Sequence, residues 1–138
     1  MLSLNNTTKA LVQKKRLERI TETFLKDYKL AGKEVSLAVI GDAAMRRFNL
    51  SYRGYDKTTD VLSFSNESPY QPELLGEIII SYPQIKRQAV EAGKSVRSEL
   101  EFIFVHGLLH LAGYDDAKEP DRLHMIALGE AFLNRHGF

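Results

Sequence analysis

The chain has 138 residues, 43% hydrophobic and 27% charged, with 19 basic and 18 acidic side chains giving a formal net charge of +1. That length suits one domain with a core of its own. The near-neutral balance excludes capture of a polyanion by the field of the whole molecule and leaves that task to a local basic patch. With no cysteine present, disulfide staples and thiolate metal sites are excluded too.

Leu2 to Asn5 alternates apolar and polar residues and predicts a short strand. Asn6-Thr7-Thr8 offers caps for a helix running to about Tyr28. Leu11, Val12, Leu17, Ile20, Phe24 and Leu25 form its apolar stripe, and Gly32 breaks it. Val35 to Ile40 predicts a second strand, and Gly41-Asp42 caps a helix from Ala43 to Leu50. Ser51 to Thr59 is polar and turn-like. Asp60 to Phe64 and Leu74 to Ser81 read as the third and fourth strands, separated by a loop with Pro69 and Pro72. Pro83 starts a helix that ends near Gly93. Ser98-Glu99-Leu100-Glu101 has the spacing of a capping box and opens an apolar helix to Ala112. A last helix runs from about Pro120 to Asn134. With no linker or repeat, residues 1–138 read as a single α+β domain, a small mixed four-stranded sheet covered by about five helices. No stretch approaches the roughly 18 apolar residues of a membrane span, and Met1 to Asn6 lacks the plan of a signal peptide, so the expected address is cytoplasmic, with no membrane partner.

The segment richest in chemistry is His106-Gly107-Leu108-Leu109-His110-Leu111-Ala112-Gly113-Tyr114-Asp115-Asp116. Residues four apart share a helix face, so both imidazoles can reach one ion. Asp116 joins them only if the helix stops, because a continuing helix would carry it about 9 Å beyond His110. Gly113 is the residue that permits the stop, since glycine takes the left-handed conformation that turns a chain back. His106, His110 and Asp116 thus predict a three-point site for one divalent cation, zinc by first choice, with a coordination position left open. Asp115 and His124 lie in the same returning segment and are alternative third ligands. For Asp115 the competing role is capping or a bond to a ligand imidazole, and for His124 and His136 it is ordinary surface placement.

The spacing resembles the helix of metzincin peptidases. Those enzymes carry a glutamate after the first histidine as general base. Gly107 stands there instead, which argues against peptide hydrolysis.

The same segment, with two others, resembles the YbeY family of bacterial ribosomal-RNA maturation endoribonucleases. His106 to Asp115 matches the family's histidine-glycine-x-leucine-histidine-leucine-x-glycine-tyrosine-aspartate run. Asn49-Leu50-Ser51-Tyr52-Arg53 matches its asparagine-x-x-aromatic-arginine stretch, and Thr59 to Phe64 its threonine-aspartate-valine-leucine-serine-phenylalanine strand. Leu75 to Ser81 and Met125 follow in the family's order, so the likeness runs from about Val35 to Phe132. It implies a zinc-dependent, single-strand-specific endoribonuclease that acts in 3′-end maturation of small-subunit ribosomal RNA and in ribosome quality control. Ribosomal RNA and the small ribosomal subunit are then the partners. One position departs: the family's third ligand is histidine, and this chain has Asp116. A carboxylate oxygen binds zinc at a similar distance, while the exchange of a nitrogen for an anionic oxygen opens the site to other divalent ions.

Within that reading His106 is a ligand on which catalysis depends, and Arg53 is expected to contact the phosphate through its planar fork of donors. Lys57, Arg46 and Arg47 extend a basic groove, and Tyr52 and Tyr55 are candidates for base stacking. Two rival accounts use the same residues: a metal-dependent hydrolase of another substrate, and a ribosome-assembly module whose metal is structural. A fourth protein ligand would mark the second.

Overall fold

The computed structural model describes all 138 residues. Strands β1 (Leu2–Asn6), β2 (Glu34–Ile40), β3 (Val61–Ser65) and β4 (Leu74–Ser81) form one sheet in the order β1-β2-β4-β3. β1, β2 and β4 run parallel, and β3 lies antiparallel along the β4 edge. Helix α1 (Lys14–Asp27) crosses from β1 to β2, and α2 (Asp42–Arg53) follows β2. α3 (Tyr82–Ala92), α4 (Val96–Leu111) and α5 (Glu119–Arg135) complete the chain. The four strands and five helices are those expected of the sequence.

Strand alternation decides which face is buried deepest. Val35, Leu37 and Val39 of β2, with Ile78 and Ile80 of β4, meet Leu17, Ile20 and Phe24 of α1 and Phe104, Leu108 and Leu109 of α4 in one core. The opposite face carries only a small cluster, Ile40, Met45, Leu62 and Ile79, beneath α2. α4 is therefore the central helix, and ten of its 16 residues are buried. Each large side chain so buried stabilises the fold by about 1.5–3 kcal/mol, which makes α4 a firmly fixed element on which to mount a site. Buried with it are Glu99, which accepts from Lys94 Nζ at 2.9 Å and Gln88 Nε2 at 3.0 Å, and Glu101, which accepts from Arg16 Nε. Paired in this way, neither buried carboxylate is left uncompensated.

Three local expectations are corrected. Asn6 to Thr8 do not cap α1. Asn6 Oδ1 accepts from Thr8 N and Thr8 Oγ1, while Asn6 Nδ2 donates to Ala10 O, so these side chains hold a loop and the helix begins at Lys14. Leu11, read as part of the apolar stripe, is consequently 96% exposed. α2 runs on through Ser51-Tyr52-Arg53, which read as loop, until Gly54 ends it in the left-handed conformation. α4 is capped by Ser95, whose side chain accepts from Ser98 N, three residues before the expected cap.

Candidate metal centre

α4 presents His106 and His110 on one face, one turn apart, with ring centroids separated by 5.0 Å. After Leu111 the helix closes on its own carbonyls: Gly113 N donates to His110 O and Tyr114 N to Leu109 O. Gly113 takes a φ of +104°, a conformation costly for any other residue, and the chain reverses there. That reversal returns Asp116 to the imidazoles. Its Oδ2 lies 3.0 Å from His106 Nε2 and 3.3 Å from His110 Nε2. The ligand atoms of all three side chains fall within 4.8 Å of one another. Burial pushes the Asp116 carboxyl up, yet the hydrogen bonds and charges of His106 and His110 outweigh it and hold the group below the ordinary value of 3.8. Two imidazole nitrogens and one carboxylate oxygen, all half-buried and directed at a common point, are a donor set that fits a divalent ion.

No fourth histidine or carboxylate joins the trio. Asp115 is exposed and accepts from Ala117 N. His124 is exposed beside Tyr114, and His136 is paired with Asp27.

The trio opens into a cleft of about 580 Å³. Its floor is α4 from Glu99 to His110, one wall is β3 with Arg53 at the end of α2, and the other is Arg122 and Ile126 of α5. Gly107 faces away from the cleft, against the sheet. A Cβ there would lie 3.0 Å and 3.1 Å from two carbons of the Ile78 side chain and 3.2 Å from Ser63 Oγ. The position next to the first histidine thus has no room for a catalytic glutamate, apart from the identity of the residue in it. Glu99 lies about 10 Å along the helix from His106, by the rise of seven residues, and is held by Lys94 and Gln88.

Arg53 shares the cleft with the trio. Its guanidinium carbon stands 5.2 Å from the Tyr55 ring centroid, and Lys57 Nζ stands 5.5 Å from the same ring. Beneath them, fully buried Asn49 donates to Lys57 O and so ties the turn after α2 to the helix. Lys57 and Arg46 are not among the residues lining the cleft. Arg46 instead forms a two-pronged pair with Asp56 at 2.7 Å and 3.0 Å. Tyr52 packs on Phe48 and Phe64.

A family model described as "Endoribonuclease YbeY" matches residues 3–137. The chain belongs to the YbeY endoribonuclease family. It is 43% identical over 122 residues to the YbeY endoribonuclease of Heliobacterium modesticaldum, covering 80% of this chain and 74% of that one. It is 47% identical over 110 residues to that of Moorella thermoacetica, covering 72% and 70%. The solution structure of a Thermotoga maritima protein superposes with a TM-score of 0.66 at 26% identity, over 97% of this chain and 87% of that one. The YbeY-like sheet and helices expected from the sequence are thus present.

Four cleft residues carried no sequence signal of their own. Asp60 lies inside a motif that reads as strand, Glu99 inside an expected cap, and Gln88 and Arg122 on helices to which the sequence assigns no functional role. Asp60 Oδ2 accepts from the same Gln88 nitrogen that donates to Glu99, so the three form a fixed polar end to the cleft. Arg122 pairs with Glu119 through two bonds. Glu119 first, and the more distant charge of Asp116 after it, raise the guanidinium above its ordinary value.

Proposed function

We propose that this chain is a metal-dependent endoribonuclease that cuts single-stranded RNA, in 3′-end maturation and quality control of small-subunit ribosomal RNA in the cytoplasm. The observation that carries this reading is the presence, in one cleft, of the His106-His110-Asp116 trio and the Arg53 guanidinium. The relatives are named as endoribonucleases, and the ribosomal assignment rests on the family resemblance of the motifs.

His106, His110 and Asp116 would hold the ion, zinc by first choice. When bound, such an ion supplies Lewis acidity and an activated water, so that no glutamate base is needed beside His106. Arg53 binds the phosphodiester from the β3 side with two parallel donors and offsets the charge that grows on its oxygens. Its stacking on Tyr55 holds the fork ready. Phe64, Phe102 and Ile126 line the cleft with apolar surface on which an unpaired base can lie, which supports a preference for single strands. The open side of the trio supports a catalytic ion over a purely structural one.

The test is cleavage of a structured RNA by the purified protein, before and after chelation and after return of zinc, with elemental analysis in parallel. Cuts in loops that vanish with the metal and return with it support the reading. Turnover of a peptide library without RNA cleavage would reverse it. A cyclic phosphate among the products identifies the ribose hydroxyl as nucleophile, and 5′-phosphate with 3′-hydroxyl ends identify water.

A further inference from the structure

Only two cationic side chains line the cleft, Arg53 and Arg122, and they come from different walls. Arg53 ends α2, and its neighbour Tyr52 packs on Phe64 of β3 with ring centroids 5.0 Å apart. Phe64 lies level with the C-terminal end of α4, because a Cβ on Gly76 would meet both Phe64 O and Leu111. Arg122 stands in the first turns of α5, six residues beyond Asp116. Both guanidinia therefore sit beside the half of α4 that carries His106 and His110. The other half is acidic: Asp60 and Glu99 line it, both held by Gln88.

A polyanion laid along α4 would bring its phosphates against those two fixed carboxylates. One laid across α4 passes from one guanidinium to the other with the trio between them. We infer that the RNA backbone crosses α4 at the level of the trio, and that Arg122 is the second phosphate contact, on the wall opposite Arg53. This rests on the ribonuclease reading above and adds to it the path of the strand. Arg122 is a binding and positioning residue in this scheme. Its side chain is 46% exposed and is occupied by the still more accessible Glu119. An exposed pair of this kind is weak enough to be exchanged for a phosphate, which offers the same planar recognition to the fork. Glu119 thus competes with the substrate for Arg122.

That competition gives the test its sign. Binding of a labelled single-stranded oligoribonucleotide is measured on chelated protein over a range of salt, and steady-state cleavage on metal-loaded protein. Arg122→Ala is expected to weaken binding about fivefold to tenfold and to raise KM more than it lowers kcat. It also flattens the plot of log affinity against log salt by about 0.7, the share of one phosphate contact on a single strand. Glu119→Gln is expected to tighten binding, because it frees the guanidinium. If Arg122 served only to brace α5, the two variants would lose the same ion pair and shift affinity together. Parallel behaviour of the two, or unchanged affinity and salt slope in Arg122→Ala, overturns the inference while leaving a cleaving wild-type enzyme and its function intact. A wild-type protein that neither binds nor cleaves RNA overturns both.

Discussion

Asp116 Oδ2 lies 3.0 Å from His106 Nε2, although ten residues and the end of a helix separate them. The contact exists because α4 stops at Leu111 and Gly113 reverses the chain. Asp116 is the one anionic member of the trio, and its charge would offset that of a bound divalent ion. Asp116→Asn keeps the shape and removes the charge. It is expected to weaken divalent-metal affinity at least tenfold, about 1.4 kcal/mol, whereas Asp116→His keeps a stoichiometric site by supplying a nitrogen. His106→Ala loses both metal and RNA cleavage. Titration against a chromophoric chelator reads all three, and an asparagine variant that holds metal as firmly as the wild type removes Asp116 from the ligand set.

Arg53 lines the cleft, makes no hydrogen bond to any member of the trio and stands over Tyr55. Arg53→Ala should therefore leave metal content and melting temperature nearly unchanged while lowering RNA turnover tenfold or more, about 1.4 kcal/mol at the transition state. Full turnover in this variant would show that its guanidinium does not meet the phosphate.

The trio was legible in the sequence because its logic is local. Two histidines four apart need only a helix, and Gly113 announces where that helix ends. The strands were legible for the same reason, since alternation in Val35–Ile40 and the run Ile78-Ile79-Ile80 speak for themselves. What stayed hidden depends on partners far along the chain or on local choices of equal merit. Asn6 and Thr8 had the right chemistry for a helix cap, but the same groups also close a turn, and here they do. Glu99 reads as part of a helix cap and Arg122 carries no signal at all, because nothing in their own neighbourhood records that α3 and α5 pack beside α4. The floor of the cleft and the His106-His110-Asp116 trio belong to one segment, and the far wall does not.

Two glycines make opposite demands, and their alanine variants should separate them. A Cβ on Gly76 would stand 2.4 Å from Phe64 O and 2.6 Å from Leu111 Cδ2, and the first of these is backbone in the paired edge strand. Gly76→Ala is expected to cost about 1–3 kcal/mol through displaced backbone. On Gly107 the nearest atoms are the ends of the Ile78 and Ser63 side chains, at 3.0–3.2 Å. Alanine there also gains about 1 kcal/mol of helix propensity over glycine. Denaturant unfolding should therefore rank Gly76→Ala as clearly the less stable of the two. The reverse order would mean that Ile78 and Ser63 yield to a side chain at Gly107 less readily than the β3 backbone yields to one at Gly76.

Asp42 shows where acid should begin to loosen the fold away from the candidate metal centre. It starts α2 and accepts from both terminal nitrogens of Arg87 on α3 at 2.8 Å and 3.0 Å, from Ser81 Oγ at 2.9 Å and from Thr58 Oγ1 at 3.1 Å. Arg87 is the largest influence on the carboxyl. Burial opposes it and the two hydroxyls add to it, so that the folded-state value falls below the ordinary 3.8. A carboxyl depressed by folding stabilises the protein above its unfolded value, and that contribution disappears as pH falls from there through the folded value. Because the side chain is 38% exposed, solvent screening keeps the contribution to about 1 kcal/mol or less. Asp42→Asn should therefore unfold more readily than the wild type near pH 7, and the gap between them should close as the pH falls below 3.8. Equilibrium unfolding of both proteins at a series of pH values measures that gap directly. A difference that persists unchanged well into acid would mean that Asp42 acts by shape and hydrogen bonding alone, without its charge.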